Sequence, residues 1–359
     1  MKNICFVQSD LNVGGIQKSL FNLLRNIDYT KFNVDLFLFQ RGGFFQGSFP
    51  KELNVIYLDV PMKKYSFMKF EKVTKKARFD IPEPDKEYDL AIDFNSYQNA
   101  CAALVDRLKA KKKVMWVHND VAIKLGGEWK YRVLWHFFKG KFKIFDQFIT
   151  VSDGLIDSFV EKSGVAREKI SSICNYIDVE EIINGSSAPV EDFAPDKEKV
   201  NLVAVGRLCY QKGYDILLDI ISKVCKKRDD LAVYIIGDGE DREALLKQRA
   251  KLGLDDKVFF LGNKKNPFCY MNLCDGFVST SRYEGQPLNV MEAKALGLKL
   301  YISKNLEKYT GCGIEGIEDM ETALLQAEKS EEHQFDRLSD YNKKILDSIE
   351  ALCAEDVNG

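Results

Sequence analysis

Short apolar runs alternate with longer amphipathic stretches from one end of this chain to the other, and that alternation restricts it to parallel α/β architecture. In residues 1–178 the runs NICFVQ, NVDLFLF, NVIYL, YDLAIDF, KVMWVH, QFITVS and ISSIC read as strands. Helical patterns cover Gly15–Asn26, Met68–Arg78, Tyr97–Leu108, Lys130–Phe138 and Gly154–Lys162 between them. The periodicity stops over residues 179–199, where EEIINGSSAPVEDFAPDKEK supplies prolines, small polar residues and acids; this reads as a linker. It restarts with VNLVAVG, LAVYIIG, KVFFLG, GFVSTS and KLYIS as strands over residues 200–335, and residues 336–359 read as a closing amphipathic helix. The expected fold class is therefore α/β, with two doubly wound, Rossmann-like domains facing across a cleft, and the closing helix packing back on the first.

A chain of 359 residues is long for a single core, which agrees with two domains. The formal charge of −2 offers no global attraction for nucleic acid, although residues 1–200 carry 30 basic and 27 acidic side chains and residues 201–359 carry 22 and 27. No run of about 18 apolar residues exists to span a bilayer. The start MKNICFVQSDLNVGG reads as a first strand rather than a secretory leader. Nine scattered cysteines form no C-x-x-C pair and read as reduced thiols of a cytoplasmic protein.

In doubly wound sheets ligands bind beyond the carboxyl ends of strands, so the chemistry is sought in the loops that follow them. VAVGRLCYQKG places Arg207 and Lys212 beside Gly206 and Gly213. Two cations there suit a pyrophosphate, each able to donate charge-assisted hydrogen bonds worth ~1.5–3 kcal/mol, and the same loop fits an ordinary solvated turn. In IIGDGEDREALL, Gly237 and Gly239 permit a tight turn and a close backbone approach, while Asp238 and Asp241 serve equally as helix-start residues. A third glycine at position 242 is missing, and no G-x-x-x-x-G-K-[ST] occurs, so a nicotinamide dehydrogenase is disfavoured.

The third loop is RYEGQPLNVMEAKALG. Pro287 suits a first helical turn, which would leave the N–H groups of Leu288, Asn289 and Val290 unpaired as an anion site. Glu284 at the strand end can accept two sugar hydroxyls, and Glu292, one turn into the helix, suits a ribose diol.

Glu284 and Glu292 stand in the E-x7-E spacing, and the segment resembles that motif of the retaining GT-B glycosyltransferases of family four, also described as glycosyl transferases group 1. VGRLCYQKG is similar to that family's donor-phosphate loop, G-R-L-x-x-x-K-G. With IIGDGEDREALL and VFFLGNKKNPFCYM between them, the motifs stand in the family's order over residues 200–303. The likeness is looser in the first domain, where NVGGIQKSLFNL resembles the family's Gly-Gly loop, with Gly14 and Gly15 admitting donor phosphate or acceptor. VMWVHND there resembles the strand that presents a site histidine, here His118. The departures are Glu284-Gly285-Gln286-Pro287-Leu288-Asn289 in place of E-G-F-G-L-P, a variant that looks like bacterial cell-surface polysaccharide enzymes, and NLEKYTGCGIEG in place of a Gly-rich turn.

The resemblance implies transfer of a sugar from a nucleotide-diphosphate sugar, a UDP-sugar being the expected donor, with retention at the anomeric carbon and without metal or cofactor. It implies that residues 1–178 form the acceptor side and residues 200–335 the donor side. Arg207, Lys212 and the helix start would stabilise the leaving diphosphate, Glu284 would hold sugar hydroxyls, Glu292 the ribose, and His118 would orient the sugar or acceptor. The acceptor is expected to be a glycan or lipid-linked, on the inner face of a membrane. Residues 101–145 support a peripheral, anionic membrane contact, with 11 basic side chains against Asp106, Asp120 and Glu128, and so do residues 63–79, with seven against Glu71. The same charges fit a solvated helix face, and no nucleic-acid module accompanies them. A sugar-nucleotide epimerase of the same fold, or a non-catalytic partner subunit, are the competing readings.

Overall fold

The computed structural model describes residues 1–354 apart from 13, 46, 48, 61–64, 66, 67, 128 and 331, with backbone alone at 124, 127, 129–131 and 134. The chain divides into two compact units, residues 1–176 with those from 340 on, and residues 177–339.

The first unit holds strands β1 (Lys2–Gln8), β2 (Phe32–Leu38), β3 (Asn54–Tyr57), β4 (Glu87–Asp93), β5 (Lys109–Val117), β6 (Gln147–Thr150) and β7 (Ile170–Ser172). They form one sheet in the order β3-β2-β1-β4-β5-β6-β7, with every pairing parallel. Its helices are α1 (Gly15–Asn26), α2 (Phe70–Lys76), α3 (Asn99–Arg107), α4 (Val121–Gly127), α5 (Trp129–Phe138) and α6 (Ile156–Ser163). A parallel sheet is covered on both faces, which is why β1 reads as a nearly unbroken apolar run and Ile4, Cys5, Phe6 and Val7 are fully buried. Each such aliphatic or aromatic side chain contributes about 1.5–3 kcal/mol. Helix α3 is built from small residues, Ala100 to Ala103, and is buried along almost its whole length. Strand order reverses between β1 and β4, so the residues just beyond those two strands, and beyond β5 next to them, stand at the switch point where such sheets take ligands.

The second unit begins with α7 (Val179–Ser186), inside the stretch expected to be a linker. Asp178 caps it by accepting the Glu181 N–H at 3.1 Å, and Val179 and Ile182 are buried. The rest of that stretch is also packed down: Phe193 lies 4.8 Å from the Tyr234 ring, and Tyr270 donates to Asp192 at 2.6 Å. Residues 179–193 thus belong to the second unit, because their apolar side chains have somewhere to go that proline and serine content does not reveal. Strands β8 (Val200–Val205), β9 (Leu231–Ile236), β10 (Val258–Gly262), β11 (Gly276–Ser279) and β12 (Lys299–Ile302) follow, in the parallel order β10-β9-β8-β11-β12. They alternate with α8 (Tyr214–Val224), α9 (Arg242–Lys251), α10 (Phe268–Met271), α11 (Leu288–Ala295), α12 (Glu307–Thr310) and α13 (Met320–Leu325). Here the switch point lies between β8 and β11, and two of the three loops singled out by the sequence leave those strands, while IIGDGEDREALL leaves β9 beside them.

The last helix, α14 (Ser339–Ala354), returns to the first unit. Tyr341 donates to the Asn175 carbonyl at 3.1 Å, and the Lys112 ammonium donates to Leu352 O at 3.3 Å. Among the described residues no helix is long and apolar enough to cross a membrane. All nine cysteines are free.

The basic stretch is not wholly a surface. Lys112 is 6% exposed and Lys141 0%, so two of its cations are interior. Arg132, Val133 and Ile123 do face solvent. Lys63, Lys64 and Glu128, and the side chains of Lys124 and Lys130, lie outside the described residues.

Candidate functional site

In the second unit the loops after β8 and β11 are joined by side chains. Lys212 Nζ donates to Glu284 Oε1 at 2.7 Å, and Gln211 Nε2 donates to Glu284 Oε2 at 3.1 Å and to the Tyr283 carbonyl at 3.1 Å. The carboxylate is 6% exposed, so it is a buried anion held by one cation and one amide. An ammonium has three donors, and each carboxylate oxygen has two acceptor positions. Both partners therefore keep hydrogen-bonding capacity for a ligand while bonded to each other. Arg207 is exposed and makes no hydrogen bond or ion pair among the described residues.

Glycine is required here for packing. A Cβ on Gly213 (φ +64°) would stand 2.2 Å from the Thr280 carbonyl oxygen, which brings the β8 loop against the end of β11. Thr280 Oγ1 in turn donates to Gly213 O at 2.9 Å. At Gly237 (φ +141°) a Cβ would meet Gly206 O at 2.0 Å, so this glycine lets two neighbouring loops touch. Gly206 itself faces the Lys212 side chain, its hypothetical Cβ 3.0 Å from Cε. Asp241 stands at the cap position of α9 but its carboxylate makes no cap bond.

The entrance of α11 differs from expectation at one donor. Pro287 is the cap residue and Leu288 the first helical one. The Val290 N–H is satisfied by Pro287 O at 3.1 Å and by Asn289 Oδ1 at 3.0 Å, because the first turn closes on itself. The N–H groups of Leu288 and Asn289 have no partner among the described residues and remain open to an anion. The Asn289 amide is committed to Val205 O at 2.6 Å, which ties the helix start to the end of β8. Glu292 is buried at 6% exposure in α11.

Arg282 and Asp215 also join the loops after β8 and β11, and no motif in the sequence marks them as a pair. Arg282 donates to both carboxylate oxygens of Asp215 and to Tyr210 O, and its backbone N–H to Gln211 O. The signal, an arginine just beyond an apolar strand, was on view in RYEG, but its partner lies 67 residues away.

In the first unit His118 follows β5 directly and is 6% exposed. Its Nε2 is 3.0 Å from Phe94 O, at the end of β4, and the rings of Phe94 and His118 are 4.6 Å apart. Burial depresses its pKa to about 3, against a smaller upward pull from the Phe94 carbonyl. Gly14 caps α1 in an extended conformation (φ 179°) that any residue adopts, and a Cβ on Gly15 would meet open space. Both lie beyond β1, beside β4 at the switch point. His136 is exposed, and His333 Nε2 lies 2.9 Å from Cys274 O; neither joins these residues.

Residues 190–335 match the family described as Glycosyl transferases group 1, and residues 13–181 that described as Glycosyltransferase Family 4. An uncharacterized glycosyltransferase of Methanocaldococcus jannaschii is 31% identical over 134 residues, 37% of this chain and 33% of that protein. The N-acetylgalactosamine-N,N'-diacetylbacillosaminyl-diphospho-undecaprenol 4-alpha-N-acetylgalactosaminyltransferase of Campylobacter jejuni is 32% identical over 140 residues, 39% of this chain and 36% of that one. The matched stretch thus spans about a third of these relatives' own length. Among solved structures, Anabaena HepE in complex with UDP and glucose superposes with a TM-score of 0.61 at 17% identity, covering 99% of this chain and 94% of that one. With two parallel sheets of this topology and both halves of the chain matched, this protein has the GT-B fold and belongs to the glycosyltransferases of group 1 and family four.

Proposed function

We propose that this chain transfers a sugar from a nucleotide-diphosphate sugar to a glycan or lipid-linked acceptor, with retention at the anomeric carbon and without a metal. The observation that carries the reading is the group of donors and acceptors around the second switch point. It holds the Lys212–Glu284 pair at 2.7 Å, the two open N–H groups at Leu288 and Asn289, and an unpartnered Arg207. A diphosphate leaving group develops negative charge as the glycosidic bond breaks, and fixed donors in a site that excludes water stabilise that charge without reorganising. Arg207 and the open N–H groups supply the charge and dipole, and Lys212 adds the donors it does not spend on Glu284. Glu284 then accepts sugar hydroxyls through its remaining lone pairs, and Glu292 takes the ribose. His118, neutral at physiological pH, orients the sugar or acceptor.

A uridine nucleotide is the favoured donor, since HepE is seen with UDP and glucose. The Campylobacter relative's undecaprenol-linked substrate favours a lipid-linked acceptor and a place in cell-surface polysaccharide synthesis, capsule included. With it goes a peripheral contact at the cytoplasmic face of a membrane, made by the exposed Arg132, Val133 and Ile123 region.

The test is a thermal-shift panel of UDP-, GDP-, ADP- and CDP-sugars on the wild-type chain. A ligand at 100 times its dissociation constant adds about 2.7 kcal/mol of stability. Stabilisation by one base class supports the donor site, and no response to any nucleotide removes it. Product anomer analysis by NMR with the responding donor then decides between retention and inversion.

A further inference from the structure

We propose that Lys141 is the positioning residue for His118, acting through the turn that follows β4. Lys141 comes from the 3₁₀ helix at Lys139–Ile144 and is completely buried. An interior ammonium is costly, and methionine would fill similar space without that cost. Its one hydrogen bond among the described residues goes to Ser96 O, and the ammonium also sits 5.0 Å from the Phe138 ring centroid.

Ser96 is where the backbone needs holding. It adopts φ +30°, outside the usual regions for an L-residue, and the Tyr97 N–H turns back onto Asn95 O. The turn is fastened on its other side by Asn95, whose N–H donates to Asp93 Oδ1 at 3.1 Å. The Asn95 amide donates to Gln8 Oε1 and Ser9 Oγ, each at 2.7 Å. Asp93 is fully buried, one of its oxygens lacks a hydrogen-bond partner, and Lys141 is the cation that pulls against its desolvation. Lys141 thus both supplies charge to the base of the turn and grips the carbonyl at its tip.

The first residue of that turn is Phe94, whose carbonyl faces His118 Nε2 at 3.0 Å. A carbonyl only accepts, so Nε2 carries the proton. In the neutral ring Nδ1 is then a bare acceptor, with no partner among the described residues. A site that needs to accept a hydroxyl proton through this imidazole requires this tautomer, and the turn enforces it. That the hydroxyl belongs to a sugar rests on the proposed function; the tautomer and its dependence on Lys141 do not.

The chain has three histidines, so long-range 15N–1H correlation of the imidazoles on the full-length, labelled protein resolves each, with His136→Asn and His333→Asn giving the assignment. In the wild type His118 is expected as the pure Nε2–H form, without titration between pH 5 and 8. In Lys141→Met, and in Lys141→Met/Asp93→Asn, which leaves no lone buried charge, the backbone spectrum is expected to stay native. His118 Nδ1 is then expected to lose its unprotonated shift as the two tautomers mix. A wild-type ring protonated on Nδ1, or titrating like a free imidazole, overturns the proposal. So does an unchanged His118 in either folded variant. If neither variant folds, Lys141 is a structural residue and the positioning role is likewise overturned. None of these readouts uses a nucleotide sugar, so they fail or succeed separately from the donor panel.

Discussion

Arg282 meets Asp215 in a fork, with nitrogen–oxygen distances of 2.8 and 2.6 Å. The same guanidinium reaches Tyr210 O at 2.8 Å and lies 4.1 Å from the centre of the Tyr210 ring, while the Arg282 N–H donates to Gln211 O at 2.8 Å. This single arginine in the loop after β11 therefore fastens Tyr210 and Gln211 in the loop after β8 and Asp215 in the first turn of α8. Arg282→Lys keeps the charge and loses the fork. It is expected to lower stability by about 1.5–3 kcal/mol in urea unfolding and to weaken nucleotide-sugar binding as the β8 loop relaxes.

Arg207 and Lys212 are expected to part company when truncated. Arg207→Ala removes an exposed, unpartnered cation and should change stability by no more than about 0.5 kcal/mol, while turnover falls on the order of 10²–10³. Lys212→Ala leaves Glu284 buried without its cation and should cost about 3–5 kcal/mol as well as activity. Paired unfolding curves and single-turnover rates separate the two cases. Equal stability losses would contradict the geometry.

Gly237→Ala tests the loop contact. The added methyl would sit 2.0 Å from Gly206 O at a φ that alanine avoids, so a loss on the order of 3 kcal/mol or more is expected. Gly15→Ala, where a Cβ meets open space, should be neutral or slightly stabilising. Thermal denaturation of the two variants side by side checks the contrast.

Acid stability should carry two opposed contributions from the first unit. His118 titrates at about 3 when folded against about 6.5 unfolded, so the unfolded chain binds the extra proton between those values. Its contribution is complete above pH 6.5 and is lost as pH falls. Asp93, raised to about 6 by desolvation from about 3.9 unfolded, acts the other way. Its contribution is present below pH 3.9 and is lost as pH rises through 6. His118→Asn should therefore flatten the fall in stability below pH 6.5, and Asp93→Asn should steepen it between pH 4 and 6, as read from denaturant midpoints across pH.

The sheet strands were legible because a strand covered on both faces must be apolar throughout; all twelve expected runs overlap a strand. Helix α7 was hidden by the composition around it, although Asp178 with Glu181 three residues on carried a cap signature. In the candidate site, the placement of Arg207, Lys212 and Glu284 was legible because each follows a strand at a switch point. The role of Arg282 could not, since ion pairs between loops leave no periodic trace. Val290 was expected to be an open donor because the sequence does not show the Asn289 side chain turning onto it. Lys141 was concealed by its neighbours: one interior lysine in a basic run looks like any other.

The path of α14 has a consequence for the order in which the protein can mature. Residues from 340 on close the first unit, with Leu352 O receiving the Lys112 ammonium, yet they are translated after the whole of the second. On the ribosome the second unit has all its strands while the first still lacks its final helix. The later domain in the sequence is thus the earlier one able to finish, and the seven-stranded unit waits with Lys112 of its interior strand β5 lacking the Leu352 carbonyl until that helix emerges.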